Sequence, residues 1–262
     1  MTEADTRVVL RNADAQWNKF SPDDYWHRNY HTLQAEDQEI IRRVRNFFIH
    51  AFAGRPQAQR GIDVGSGTNL YPALLMLPWT EQILLTDFSP SNVRWLRQQL
   101  EDDGAGWMWR RFWYQLQEAE GYRDIGVPRK QLREACVSER GYAGVERCSV
   151  FSLPEARWDV GTMFFVAESI TEDPEEFRAA IARFAGALKP GAPFAAAFMG
   201  GSHGYPVKGT RFPALPITPD DVRRHFTELG ASDLNVEPLR TKPRVRHGYE
   251  GMIVATGFVR GR

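Results

Sequence analysis

The sequence predicts an α/β protein with a doubly wound, mostly parallel sheet that closes on an antiparallel hairpin. Three observations carry this expectation. Residues 61 to 71, Gly-Ile-Asp-Val-Gly-Ser-Gly-Thr-Asn-Leu-Tyr, read as a strand, a glycine-rich turn and a helix start. From there to Met199, short apolar runs alternate with helical patterns, as in successive βα units. At the tail, two strand-like runs, 232 to 239 and 249 to 259, flank Lys242-Pro243-Arg244 and can pair as a hairpin.

Each element has its own justification. Ser21-Pro22-Asp23-Asp24 reads as a helix start, with a capping serine, a first-turn proline and two carboxylates that complement the helix dipole. That helix carries Tyr25, Trp26 and Tyr30, then continues or restarts through Ile40, Ile41, Val44, Phe47 and Phe48, an amphipathic spacing. Gly54 and Pro56 mark the turn into the first strand. A short helix at 70 to 77 stops before Pro78, and Gln82 to Thr86 is a buried strand with Asp87 at its end. Ser89-Pro90 starts a helix to about Asp102. Residues 104 to 140 break the rhythm as a helical insert, with aromatics crowded into 107 to 114, a Gly-Val-Pro turn, and a helix from about Gln131 to Val137. Val145 to Val150 and Trp158 to Val166 are the third and fourth strands. Pro174 to Leu188 is a helix ended by Lys189-Pro190-Gly191, Pro193 to Met199 is the fifth strand, and 200 to 209 is a glycine-rich loop. Thr218-Pro219-Asp220-Asp221 caps a last helix that stops at Gly230. The expected organisation is one domain over 1–262, with N-terminal lid helices in 1–56 and the sheet core, including the insert, in 57–262.

Composition narrows the function. The 33 basic and 33 acidic residues cancel, which argues against a nucleic-acid binder that relies on neutralising phosphates. No apolar run approaches the roughly 18 residues of a membrane span, and the N-terminus has no apolar signal core. The two cysteines, Cys136 and Cys148, have neither metal-ligand nor disulfide-framework spacing. A cytoplasmic protein with reduced thiols, no metal, no nucleic-acid partner and no membrane partner is expected, as a monomer or a dimer.

In a doubly wound sheet, ligands lie beyond the carboxyl ends of the strands. Gly65 and Gly67 let bare backbone approach a nucleotide, and Asp87, about twenty residues on, suits a ribose diol because a carboxylate accepts two hydrogen bonds at once. A dinucleotide fingerprint wants a third glycine where this chain has Leu70. S-adenosylmethionine has no phosphate and needs no such glycine, so it is the better match, and the tail hairpin agrees.

Three stretches then resemble the class I, Rossmann-like methyltransferases of the nicotinamide, phenylethanolamine and indolethylamine N-methyltransferase family: Phe20-Ser-Pro-Asp-Asp-Tyr-Trp-His-Arg-Asn-Tyr30, Ile62-Asp-Val-Gly-Ser-Gly through Tyr71, and Thr86-Asp-Phe-Ser-Pro-Ser-Asn92. The resemblance implies that Tyr25 and Tyr30 belong to a lid over cofactor and acceptor, that Gly65, Ser66 and Tyr71 hold the methionine end, that Asp87 binds the ribose, and that Asn92 contacts the ribose or the adenine side. Ser149 and Val150 stand where the family often has an aspartate near the adenine. Some amine-specific members carry a carboxylate after the fifth strand, but no carboxylate lies between Ala192 and Arg211 here, which argues against nicotinamide itself. Glu168, after the fourth strand, is the leading catalytic candidate, to hold a cationic amine or accept a proton; the alternative is a capping role at the next helix. His203 is a second candidate base. Phe164, Phe165, Phe198 and Tyr205, with Tyr25 and Glu168, are the candidate acceptor contacts.

The expected activity is transfer of a methyl group from S-adenosylmethionine to a small, aromatic or heteroaromatic amine-type metabolite. O- or C-methylation of an electron-rich aromatic in specialised metabolism, or cofactor binding without catalysis, are the alternatives.

Overall fold

The computed structural model describes residues 9–101, 107–136, 144–239 and 248–261. Seven strands form one sheet in the order β3-β2-β1-β4-β5-β9-β8. They are β1 (Ala58–Val64), β2 (Thr80–Asp87), β3 (Val145–Arg147), β4 (Val160–Phe164), β5 (Pro193–Gly200), β8 (Ser232–Leu239) and β9 (Gly251–Phe258). The first five run parallel, while β9 inserts antiparallel between β5 and β8. The chain winds outward from β1 to β3, then returns to β4 on the other side of β1. That reversal opens a crevice at the strand ends between β1 and β4.

Strand alternation splits the core into two layers. On β5, Phe194, Ala196 and Phe198 pack with α7 (Pro174–Ala187) and α8 (Pro219–Glu228), whereas Ala195, Ala197 and Met199 face the opposite layer. In that opposite layer lie α2 (Ala35–Phe52), α3 (Tyr71–Met76), α4 (Pro90–Glu101), α5 (Arg110–Trp113) and α6 (Pro128–Cys136). The amphipathic stripe expected on α2 is buried through Ile40, Ile41, Val44 and Phe48. The expected Thr218 cap is present as a reciprocal capping box with Asp221.

Of the two courses open to the N-terminal helix the chain takes the restart: α1 (Pro22–Asn29) ends at Tyr30 and α2 begins afresh. Three local expectations are revised. Ser21 occupies the cap position of α1 without a capping bond. The third strand stops at Arg147, because the Ser149 hydroxyl accepts from the Phe151 N–H and turns 150–152 into a 3-10 turn. Finally, the glycine-rich loop contains a small hairpin, β6 (Tyr205–Val207) with β7 (Thr210–Phe212). Lys208 and Gly209 both have positive φ, the tight two-residue turn that matches strand twist.

The N-terminal segment crosses the mouth of the crevice and is fastened to both sides. Ser89 Oγ donates to Trp17 O (3.0 Å), Ser91 Oγ to Phe20 O (2.8 Å) and Trp95 Nε1 to Asp23 Oδ1 (3.1 Å). From the other side, Lys208 N–H donates to Asp24 Oδ2 (3.0 Å), and Asn12 N–H to Glu176 Oε2 (2.8 Å). The two carboxylates that opened α1 in the sequence thus tie the lid to the core. Phe20 of this segment packs with Tyr205 and Phe212 in a separate apolar cluster.

Candidate active site

A cavity of about 770 Å³, its open mouth included, lies under this strap at the β1/β4 crevice. Its floor is the glycine turn. Gly65 has φ +66°, and a Cβ there would stand 2.5 Å from Val166 Cγ2. Gly67 has φ +56°, and a Cβ there would lie in ordinary contact with Gly65 O (3.7 Å) and Asp87 Oδ2 (3.9 Å), so the constraint on a side chain is the left-handed backbone. Ser66 N–H donates to Thr86 O (2.8 Å) and Ser66 Oγ to Asp63 O (3.1 Å), which pins the turn to both strands.

Asp87, at the end of β2, is the organising side chain. Its Oδ2 accepts from Gly67 N–H (2.9 Å); its Oδ1 accepts from Ser89 N–H (2.7 Å) and Asn92 Nδ2 (3.1 Å). Burial pushes its carboxyl up to about 6, against these three bonds, which favour the ionised form. These bonds use both acceptor sites of Oδ1 and one of Oδ2, which leaves Oδ2 with further acceptor capacity. Around it, three residues of the lining each carry a buried polar atom without a protein partner: Asn92 Oδ1, Thr68 Oγ1 and Asn69 Nδ2. Buried polar groups ordinarily find partners, so two that can accept and two that can donate, the hydroxyl doing either, describe a polar ligand with hydroxyl and charged groups. Those atoms fit the ribose and amino-acid ends of S-adenosylmethionine.

The other end of the cavity is aromatic. Tyr25 and Tyr30 descend from the lid with ring centroids 6.2 Å apart, and Tyr205 approaches Tyr25 at 6.0 Å from the β6/β7 hairpin. Phe164 and Phe165 rise from the end of β4. Phe165 has φ +61°, a conformation costly for a bulky side chain, and its N–H donates to Ala197 O (2.7 Å). Ser149, Val150, Cys148 and Phe88 line a third wall, with the Arg147 guanidinium over the Phe88 ring at 5.2 Å.

Most of the residues singled out in the sequence therefore meet in one cavity: Tyr25, Tyr30, Gly65, Ser66, Gly67, Asp87, Asn92, Ser149, Val150, Phe164, Phe165 and Tyr205 line it. Four do not. Tyr71 is fully buried behind the wall, stacked on Phe112 at 5.4 Å, and its hydroxyl donates to Asp37 Oδ1 (3.2 Å). Phe198 points to the α7/α8 layer, edge-on to Phe177, because strand alternation sends it to the opposite face from Met199. His203 is exposed beside the mouth, outside the lining. Glu168 has no exposed surface; its Oε1 accepts from Met199 N–H (3.0 Å) and Ser169 Oγ (3.1 Å), so it ties the β4 turn to the end of β5. The Tyr205 hydroxyl donates to Ser169 O (3.2 Å), so Glu168 and Ser169 support the aromatic wall, and Glu168 lies outside its surface.

Sequence reasoning missed Asn12, Trp17, Thr68, Asn69 and Asp37. The first two come from the strap, whose path nothing local predicts. Thr68 and Asn69 follow directly on the glycine turn, and that adjacency was a usable signal. Burial pushes the Asp37 carboxyl up to about 7, against the Tyr71 hydroxyl bond. Asp63, bonded by Thr162 Oγ1 at 2.7 Å beneath the turn, is likewise raised to about 7 by burial.

Comparison with known proteins places this geometry. A model of the NNMT/PNMT/TEMT family matches residues 8–255. The chain is 28% identical over 194 residues to the indolethylamine N-methyltransferase of Mus musculus, covering 71% of each. It is 25% identical over 229 residues to the nicotinamide N-methyltransferase of Sus scrofa, covering 83% of this chain and 84% of the relative. Its fold superposes on the magnesium protoporphyrin IX methyltransferase of Synechocystis PCC 6803, crystallised with bound S-adenosylmethionine, with TM-score 0.53 at 14% identity over 92% of each chain.

Proposed function

The chain belongs to the NNMT/PNMT/TEMT family of methyltransferases, and from that premise we propose that it methylates a nitrogen of a small aromatic or heteroaromatic metabolite, with S-adenosylmethionine as donor. The observation that carries the donor assignment is the Asp87 carboxylate, held by Gly67, Ser89 and Asn92 beside three buried polar atoms that lack protein partners. Bound S-adenosylmethionine supplies an electrophilic methyl carbon on a sulfonium.

The chain's own residues bind, orient and exclude water. Asp87 and Asn92 Oδ1 accept from ribose hydroxyls, while Thr68 and Asn69 complement the amino-acid end over the glycine turn. Ser149, Val150 and Phe88 receive the adenine. The aromatic wall of Tyr25, Tyr30, Phe164, Phe165 and Tyr205 positions a flat acceptor, and orientation of this kind supplies much of the rate of a displacement reaction. The strap from Asn12 to Tyr30 closes the site against water.

The test is direct. Purified protein incubated with methyl-labelled S-adenosylmethionine and a panel of small heteroaromatic amines should yield S-adenosylhomocysteine and an N-methylated product by mass. If calorimetry shows binding of neither S-adenosylmethionine nor S-adenosylhomocysteine, the reading is wrong.

A further inference from the structure

The lid helix carries a second side-chain cluster, outside the cavity. His27 and His31 stand four residues apart at the end of α1, the spacing that brings two side chains together on one helix face. His31 lies just past the last helical residue. Its N–H nevertheless donates to Trp26 O (3.0 Å), beside the Tyr30 N–H on the same carbonyl (2.8 Å), so the chain keeps turning there. Both imidazoles are exposed, and their centroids are 5.5 Å apart. Each ring also stands edge-on to Trp26, at 5.1 and 5.5 Å. Trp26 is buried in the core, so it restricts the rotamers of both histidines. Among the described residues neither imidazole takes part in a hydrogen bond or an ion pair. The neighbouring cation, Arg28, is engaged with Asp24 and the Pro206 carbonyl.

We propose that His27 and His31 form a two-imidazole site for a divalent transition-metal cation of the Zn²⁺, Ni²⁺ or Cu²⁺ type, and that the bound ion stiffens the end of the lid helix. A neutral imidazole offers a nitrogen lone pair that suits these ions, whereas Mg²⁺ and Ca²⁺ prefer oxygen ligands. With metal–nitrogen bonds of about 2.0–2.1 Å, two coordinated imidazole centroids stand roughly 4.5–5.5 Å apart for bond angles of about 90–120°. The observed separation falls at the upper end of that range. No third histidine, cysteine or carboxylate joins the pair among the described residues, so water completes the coordination sphere. The site is therefore open and exchangeable, unlike a closed four-ligand structural site.

The position of the pair gives the ion a consequence. Tyr25 and Tyr30, in the same short segment, line the cavity, and an ion on His27 and His31 spans Tyr30. Hydrogen bonds at Phe20, Asp23 and Asp24 already fasten the start of α1 to the body of the protein. The ion adds a constraint at its other end. Ligand exchange past a lid often limits turnover, so a stiffer lid slows the cycle. That consequence rests on the methyl-transfer reading, while the site itself does not.

Calorimetric titration of Ni²⁺ into the full chain, carrying no affinity tag, tests the site. Wild type should bind an ion that His27→Gln and His31→Gln each bind at least about tenfold more weakly, since losing even an outer-shell partner costs that much. Excess Mg²⁺ should not displace it. Both positions are exposed, so the metal-free variants should keep the wild-type thermal midpoint. No Ni²⁺ binding by the wild type, wild-type affinity in either variant, or displacement by Mg²⁺ overturns the site. In the methyl-transfer assay, Ni²⁺ should lower wild-type kcat along the binding isotherm and spare His31→Gln. Equal inhibition of the two proteins, or inhibition of neither, overturns the effect on the lid. Protein that binds Ni²⁺ but no S-adenosylhomocysteine instead overturns the methyl-transfer reading and leaves the site standing.

Discussion

The two ends of the cavity are built in different ways. The glycine-turn end comes from one continuous βαβ stretch between Asp63 and Asn92, where backbone N–H groups and short polar side chains hold one another at 2.7–3.1 Å. The aromatic end is assembled from the lid, the β4 turn and the β6/β7 hairpin, segments far apart in the chain that meet through ring packing. The first arrangement is fixed by hydrogen bonds between residues close in the chain. The second is a surface whose shape can change by single substitutions without disturbing the sheet. A family with a common donor and varied acceptors needs this division.

Substitutions at the two ends should therefore fail in different ways. The largest effect is expected from Gly65→Ala. It forces a Cβ into a left-handed conformation, at about 1–2 kcal/mol, and against Val166, at about 1–3 kcal/mol of overpacking. A fall in thermal midpoint together with loss of cofactor binding is expected, partly restored by Val166→Ala; an unperturbed single variant would mean that the turn is not rigid.

Glu168 sharpens the contrast from the other side. Glu168→Leu leaves the buried Met199 N–H without its acceptor and should cost about 1–3 kcal/mol of stability. Glu168→Gln keeps an acceptor oxygen there and should retain cofactor affinity and most of kcat. If Glu168→Gln folds and binds cofactor but loses its turnover, the carboxylate takes part in the chemistry.

Buried carboxyls set a pH dependence, of which Asp37 and Asp63 carry the largest shifts. Asp37 and Asp63 are raised to about 7 by burial, above the unfolded value of 3.8. A raised carboxyl contributes stability that is complete below the unfolded pKa and is lost as pH rises through the folded one. The ligand-free protein should thus unfold at a higher temperature at about pH 6 than at about pH 8. Asp37→Asn and Asp63→Asn should flatten that slope; a midpoint that rises from pH 6 to pH 8 in the wild type would refute the assignment. Glu39 and Asp221, both lowered, act in the opposite direction only in stronger acid.

The smallest effect is expected from Tyr205→Phe, which removes one hydroxyl bond to Ser169 O, about 0.5–1.5 kcal/mol. Acceptor KM should rise several-fold while S-adenosylhomocysteine affinity stays the same, and an equal loss in both would deny that the two ends are separable.

This division also explains what could be read in advance. The sheet, the closing hairpin and the donor end are encoded locally: glycines at 65 and 67, an aspartate about twenty residues on, Ser89-Pro90 opening a helix. The acceptor end is decided by burial and by strand register, which single residues do not announce. Phe198 and Met199 are neighbours in sequence but lie on opposite faces of β5. Glu168 reads in the sequence as a strand-end base, and the structure adds its bond from the Met199 N–H; Tyr71 reads as a cofactor contact, and the structure adds its hydroxyl bond to Asp37. The β6/β7 hairpin was legible in Lys208-Gly209 between two β-forming triplets, but the surrounding glycines masked it.

The central claim is that Asp87 organises the donor site. Calorimetric titration of S-adenosylhomocysteine into wild type and Asp87→Ala, with folding checked by thermal midpoint, tests it most directly. Wild-type protein should bind and the variant should bind about 1–3 kcal/mol more weakly, roughly 5- to 150-fold. Equal affinity in the two proteins, or no binding by the wild type, would contradict the account.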